Sequence, residues 1–303
     1  MTDSDSRPRS ARTDFDQLLA TLHLERLDDD IFTGAHPSKN PVRTFGGQMM
    51  AQAFVAAGRS LENPLPPSAL SAHFIAGGDP DLDLEFHVVR LRDERRFANR
   101  RVDVMQKGQL LTTVMVSYLS GGRGLEHGLQ APPPDDPESL PPIDDLLRGY
   151  EDVVPHFANA LRPIEWRYTN DPAWVMRGKG ERLTSNRVWM KARGDMPDDP
   201  VLHGAALVYS SDTTVLDSII TTHGLSWGFD RIFAVTTNHS VWFHRPFRFD
   251  DWVLYSTTSP VAAESRGLGS GHFYDRSGQP LATVVQEGIV KYFPGKPTAS
   301  ASA

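Results

Sequence analysis

The 303-residue sequence predicts an α+β fold built from two successive units of one design, an alanine-rich buried helix followed by antiparallel strands. Three observations carry this reading. After residue 68, apolar residues alternate with polar ones over successive stretches, the pattern of half-buried strands. A segment dense in glycine, proline and acidic residues, 121–145, then interrupts the alternation and reads as a connection. Beyond it the order of elements starts again. The turn Ser277-Gly278-Gln279 with Leu281 and Thr283-Val284 matches Lys107-Gly108-Gln109 with Leu111 and Thr113-Val114 at a shift of 170. Upstream, Trp242 and Phe243 align with Phe74 and Ile75 at a shift of 168, which implies a two-residue loop change.

Each element has a local reason. Thr13 and Asp16 resemble a capping pair ahead of Phe15, Leu18, Leu19 and Leu22 at helical spacing, so a short amphipathic helix opens the fold. Residues 24–33 read as a strand. Gly46 and Gly47 lead into a helix from Gln48 to Gly58, whose small residues suit packing on more than one side. Strands follow at 69–75, 82–91, 97–105 and 110–119. Asp144 to Leu161 reads as a loosely amphipathic helix. Strands at 164–168 and 187–191, a helix at 203–216, and strands at 233–244, 252–259, 267–274 and 281–290 complete the second unit. The expected organisation is a disordered tail over 1–12, a first unit over 13–120, a linker over 121–161, a second unit over 162–293 and a disordered tail over 294–303.

Composition excludes several function classes. A formal charge of −7, with no Lys/Arg run, argues against a nucleic-acid partner. The absence of cysteine removes disulfides, thiolate catalysis and Cys-ligated zinc. No stretch approaches the roughly 18 apolar residues of a membrane helix, and residues 1–12 lack the apolar core of a signal peptide. The expectation is a soluble cytoplasmic protein without a membrane partner.

Polarity concentrates in 236–247, TTNHSVWFHRPF. Two histidines, an arginine, hydroxyls and an amide crowd an apolar strand, where each needs a partner or a task. A satisfied core network and a functional site both fit. Neither His239 nor His244 has metal-ligand spacing, so no metal is expected.

The stretch NHSVWFHRPF, together with VVQEG at 284–288, YSSD at 209–212 and FGGQ at 45–48, resembles the type II acyl-CoA thioesterases, from Phe15 to Tyr292. The resemblance implies a double hotdog: two fused units, each an antiparallel sheet wrapped around a helix. It implies hydrolysis of fatty acyl-CoA to free acid and CoA without a cofactor, and self-association into dimers or tetramers. By motif it places the catalytic residues at Asp212, Thr236 and Gln286. These types suit the task, since hydrolysis without a Ser or Cys nucleophile needs a water held against the carbonyl by groups that take its proton and fix its direction. The helix start at Gly46-Gly47-Gln48 and that at His203-Gly204 are candidate oxyanion donors. Gly46, Gly47, His239 and His244 are candidate substrate-binding residues. Two departures stand out: Asn238 replaces the family's aspartate, and Ala76-Gly77-Gly78-Asp79 replaces an Arg-Pro-Gly-Asp run. Two alternatives remain. Asp199-Pro200-Val201-Leu202-His203 has a superficial likeness to a hotdog hydratase signature, and a non-catalytic acyl-CoA-binding protein would share the fold.

Overall fold

A computed structural model describes residues 9–34, 43–131, 135–155, 162–174 and 182–294. Among these residues the strands are β1 (Glu25–Asp28), β2 (Ile31–Gly34), β3 (Pro67–Phe74), β4 (Leu84–Asp93), β5 (Phe97–Gln106), β6 (Gln109–Leu119), β7 (Ile164–Tyr168), β8 (Ser185–Ala192), β9 (Arg231–Phe243), β10 (Val253–Ala263), β11 (Arg266–Tyr274) and β12 (Pro280–Phe293). The helices are α1 (Arg9–Leu22), α2 (Gly46–Arg59), α3 (Ile143–Leu146), α4 (Pro200–Ser211) and α5 (Asp217–Thr222). All strands join one antiparallel sheet in the order β1-β2-β4-β5-β6-β3-β9-β12-β11-β10-β8-β7. The order on one side of the β3–β9 seam repeats in mirror sequence on the other, so the two units form a double hotdog.

Alternation sets the layers. Leu70 and Ala72 of β3, Val102 and Val104 of β5, Val114 and Val116 of β6, Val241 of β9 and Val284 of β12 all point to one buried face. There the sheet wraps α2 and α4. Eleven residues of α2 are buried, from Gly47 to Ala57, which explains its alanine content. Burying Phe54 or Met50 contributes about 1.5–3 kcal/mol each. The two helices lie close because Gly204 of α4 faces the Phe54 ring; a β-carbon there would come within 2.8 Å of it.

Several elements differ from the sequence reading. Helix α1 begins at Arg9, so Thr13 lies within it rather than at its start. Residues 24–33 form two strands, since the acidic turn at Asp29 and Asp30 folds β1 back on β2. Of the helix expected over 144–161 the described residues hold the short α3, which the left-handed Gly149 (φ 85°) keeps from continuing, and Pro155 is helical again; residues 156–161 lie outside the described set. Helix α4 starts earlier than expected, with the Asp199 side chain accepting from the Val201 N–H and Pro200 in the first turn. It stops at Asp212, and α5 follows as a separate helix that the β-branched run Ile219-Ile220-Thr221-Thr222 concealed. The tail residues 1–8 and 295–303 also lie outside the described set.

The seam sharpens the internal alignment. Ser71 faces Ser240 across β3 and β9, with their hydroxyls 2.9 Å apart, a separation of 169 residues. The shift in this strand pair is therefore 169, not 168. Both units carry the same irregularity. The β3–β6 register skips Ser68, whose hydroxyl donates to the Ser117 carbonyl (3.1 Å). The β9–β12 register skips Thr237, whose hydroxyl donates to the Glu287 carbonyl (3.0 Å). A duplicated bulge with a duplicated latch is stronger support for repetition than the turn motif alone.

Candidate active site

The bulge at Thr237 decides what the site contains. In an unbroken strand, residues three apart face opposite sides. The extra residue restores both Thr236 and His239 to the inner face, where they meet Gln286 of β12. Glu287, pointing outward, secures this kink: Thr237 and Asn238 both donate to its carboxylate, at 3.4 and 3.2 Å. The family departure at Asn238 thus has a local account, since an aspartate there would face Glu287 with like charge.

The inner groups form one hydrogen-bonded chain. Ser211 Oγ lies 2.8 Å from His239 Nε2, and His239 Nδ1 contacts Gln286 Oε1. Gln286 Nε2 donates to Thr236 Oγ1 at 2.7 Å, and Thr236 Oγ1 donates to Asp212 Oδ1 at 3.2 Å. An ionised carboxylate only accepts, and this fixes the direction of the chain. Thr236 gives its proton to Asp212, so it accepts from the Gln286 amide. The Gln286 oxygen then accepts from His239 Nδ1–H, and neutral His239 presents Nε2 as an acceptor to the Ser211 hydroxyl, whose one proton is shared with the Val208 carbonyl at 2.8 Å. Burial holds His239 neutral, lowering its pKa to about 4.

Asp212 caps the C-terminal end of α4 at the seam between the units. Its carboxyl is pushed up to about 6 by burial, against hydrogen bonds from Gln286, Thr236 and the Gly47 backbone N–H. Gly46 is required for this contact, because a β-carbon there would lie 2.8 Å from Asp212 Oδ2. The second unit supplies the carboxylate, strand hydroxyl and amide, and the first supplies the N-terminal turn of α2. Gly46 and Gly47 therefore sit beside Asp212, with the Gly47 N–H already committed to it. The loop that departs from the family pattern is near: Thr44, two residues before Gly46, donates its N–H to the Gly78 carbonyl.

The corresponding place in the first unit is filled. Pairing registers align Thr236 with Pro67 and Gln286 with Val116. The α2 C-cap, Ser60, corresponds to Asp212, the α4 C-cap. Arg100 of β5, opposite Val116 as Gly269 is opposite Gln286, occupies the space. Fully buried, it donates to Ser60 Oγ (2.8 Å), to the Arg92 and Asn99 carbonyls (both 3.1 Å) and to Asp93 Oδ1 (2.6 Å). The carboxylate at this place, Asp93, is paired with the guanidinium.

The remaining sequence candidates lie elsewhere. His244 is eight residues from Thr236 along β9, about 26 Å at roughly 3.3 Å per residue. It bonds Thr283 Oγ1 (2.8 Å) beside His272, away from the Asp212 cluster. His203-Gly204 stands at the opposite end of α4 from Asp212, about 12 Å or more away along a helix rising 1.5 Å per residue, and cannot supply an oxyanion donor there. Asp199 and His203 both serve structure. Asp199 caps α4 and pairs with Arg59, while His203 Nδ1 accepts the Phe249 N–H at 3.0 Å. The hydratase reading loses its acid and base. Sequence reasoning missed Ser211, Glu287 and Arg100. Arg100 had a signal: Ala98, Arg100, Val102 and Val104 share one period-two face, and that face is core.

Two fused hotdog units with a buried polar cluster at their seam place the chain among double-hotdog enzymes. Solved structures agree. A tesB protein from Mycobacterium avium subs paratuberculosis superposes with TM-score 0.75 at 27% identity, covering 93% of this chain and 100% of that one. An acyl-CoA thioesterase II, TesB2, from Mycobacterium marinum gives 0.73 at 29%, covering 92% and 99%. The acyl-CoA thioesterase family model matches residues 157–289, and the model of the acyl-CoA thioesterase N-terminal domain matches 35–120. Acyl-coenzyme A thioesterase 8 of Mus musculus is 32% identical over 292 residues, 91% of this chain and 89% of the relative. Acyl-CoA thioesterase 2 of Haemophilus influenzae is 30% identical over 282 residues, covering 91% and 97%. The chain belongs to the acyl-CoA thioesterase family, and its activity is hydrolysis of an acyl-CoA thioester. Among the described residues no helix is long and apolar enough to cross a membrane.

Proposed function

We propose that Asp212, Thr236 and Gln286 hydrolyse fatty acyl-CoA by activating one water, with Asp212 as general base. The observation that carries this is the hydrogen-bond chain that converges on a half-buried carboxyl with its pKa pushed up to about 6. A base of that pKa is mostly ionised at neutral pH yet strong enough to take a proton from water. Thr236 and Gln286 fix the direction of the water against the thioester carbon. As its oxygen bonds to that carbon, its proton passes to Asp212; as the C–S bond breaks, Asp212 returns the proton to the CoA sulfur. Acid and thiol leave, and the carboxylate is regenerated. His239 and Ser211 hold the Gln286 amide in the orientation that points its N–H groups at Thr236 and Asp212.

The test is release of free CoA thiol from a medium-chain acyl-CoA, with enoyl-CoA absorbance followed in parallel. Thiol release without enoyl hydration is the expected result; hydration without thiol release contradicts it, and neither reaction would leave only a binding protein. The pH dependence adds a sign. Because the base must be deprotonated, kcat/KM rises with pH through an apparent pKa of about 6 and is lost below it. His244 is itself pushed below its ordinary value by burial and by His272. His244→Gln is therefore expected to keep the shape of this profile even if the rate falls, and disappearance of the acid limb in that variant would move the base to His244.

A further inference from the structure

A cavity of about 360 Å³ lies beside the edge strand β7 and helix α5, and none of its walls belongs to the cluster of Asp212, Thr236 and Gln286. Its size is within the range of small-molecule sites. Aromatic rings dominate the walls. Trp166 and Tyr168 stand two residues apart on β7, so they share one face of the strand. The Tyr168 ring meets Trp166 at 6.5 Å and Trp174 at 5.7 Å between centroids, both edge to face, and Trp227 joins them in the lining.

The polar groups of the lining divide into sealed and open. The Tyr168 and Thr214 hydroxyls have no accessible surface, so they are closed off from the cavity. Asp217, only 8% exposed, is different. Its Oδ1 accepts from Trp227 Nε1 at 2.7 Å, while Oδ2 has no donor among the described residues and is not one of the sealed atoms. No lysine, arginine or histidine among them acts on this carboxyl: burial pushes it up to about 7, against the Trp227 hydrogen bond alone. An ionised carboxylate buried this far is costly unless a cation meets it. The kind of cation follows from the walls. A metal ion takes several oxygen ligands, and the described residues hold no group of three or more His, Asp or Glu that could bind one. Aromatic rings with one carboxylate suit an alkylated ammonium ion, whose methyl groups pack on the rings while its charge is drawn to their electron-rich faces.

We propose that this cavity binds a free, small alkylammonium ion, with Asp217 Oδ2 as its counter-ion and Trp166, Tyr168, Trp174 and Trp227 as its aromatic walls. This cation site is separate from the thioester chemistry and does not depend on which residue activates water. Two contributions select the ligand. Shape and apolar contact admit any compact branched group, whereas the carboxylate and the rings favour the charged one over a neutral molecule of the same shape. The second contribution is what distinguishes the site from a plain apolar pocket.

The experiment titrates choline chloride into the full chain at pH 8, beside sodium chloride at equal ionic strength and the neutral alcohol in which carbon replaces the nitrogen of choline. Three tryptophans line the cavity, so binding is read in their fluorescence, and independently in the melting temperature. Choline is expected to give a saturable change and to raise the melting temperature. The neutral isostere is expected to bind ~10-fold more weakly or worse. Asp217→Asn keeps an acceptor for Trp227 and so the fold, which its melting curve checks, and is expected to bring choline down to the level of the isostere. Trp166→Leu is expected to weaken choline binding while leaving the carboxylate in place. Equal binding of choline and its isostere would reduce the cavity to an apolar pocket and overturn the proposal. A response matched by sodium chloride, undiminished choline binding in folded Asp217→Asn, or no response at all would overturn it too.

Discussion

Replacing Asp212 by Asn is expected to lower acyl-CoA hydrolysis by about 10²–10⁴-fold, the usual loss on removing a positioned general base. The amide keeps the shape of the carboxyl and can still accept from Thr236, so the fold stays. It should in fact become more stable at neutral and alkaline pH. Burial raises the Asp212 pKa from an ordinary carboxylate value to about 6, so the folded state holds a proton that the unfolded chain gives up. The native state is favoured below the unfolded value, and that advantage is lost as pH rises through about 6. Above this window the ionised carboxylate costs about 1–3 kcal/mol, which asparagine does not incur. At pH 8 the variant is expected to melt a few degrees above the parent, and at pH 4 the two should converge. Activity within a few-fold of the parent would remove Asp212 from the role of base. A lower melting temperature at pH 8 would contradict the account of its burial.

Gln286→Ala is expected to abolish nearly all turnover, by about 10²-fold or more, with nothing left near half of the parent rate. Gln286 is fully buried and joins two parts of the hydrogen-bonded chain, so its loss frees Thr236 and strands His239 together. Duplication raises the question of a second site that would survive this change. Arg100 answers it. In the first unit Val116 stands in the position of Gln286, Ser60 in that of Asp212, and the guanidinium fills the space between strand and helix. A guanidinium bonded to Asp93, to fixed carbonyls and to a hydroxyl has no lone pair with which to take a proton from water. Residual activity near half of the parent would mean that the first unit catalyses after all.

Much of the fold was legible because its signals are periodic. Alternation located the long strands, the alanine-rich run marked α2, and the glycine turns at 108 and 278 (φ 76° and 82°) set the repeat. What escaped was local and depended on contacts across the chain. Period-two reading cannot place Thr236 and His239 on one face, since the bulge that does so is set by the β12 partner and by the Thr237 latch. The end of α4 was overrun because Val215 and Leu216 resume the apolar pattern just beyond Asp212, Thr213 and Thr214. Only the structure separates α5 and puts Asp212 at a cap. The residues expected at the site were read from motif, and Asp212, Thr236, Gln286, His239, Gly46 and Gly47 meet in space. His244 came from the same motif but lies at the far end of its strand, because a strand spreads neighbouring residues over length that a linear motif hides.

The central claim is that one chain holds one site, built where the first turn of α2 meets the end of α4, with chemistry supplied by the second unit alone. Calorimetric titration with an acyl-CoA analogue whose thioester is replaced by an unreactive thioether counts such sites directly. One analogue bound per chain is the predicted result, with a weakened complex when Gly46 is replaced by valine beside Asp212. Two equivalent sites per chain would contradict it.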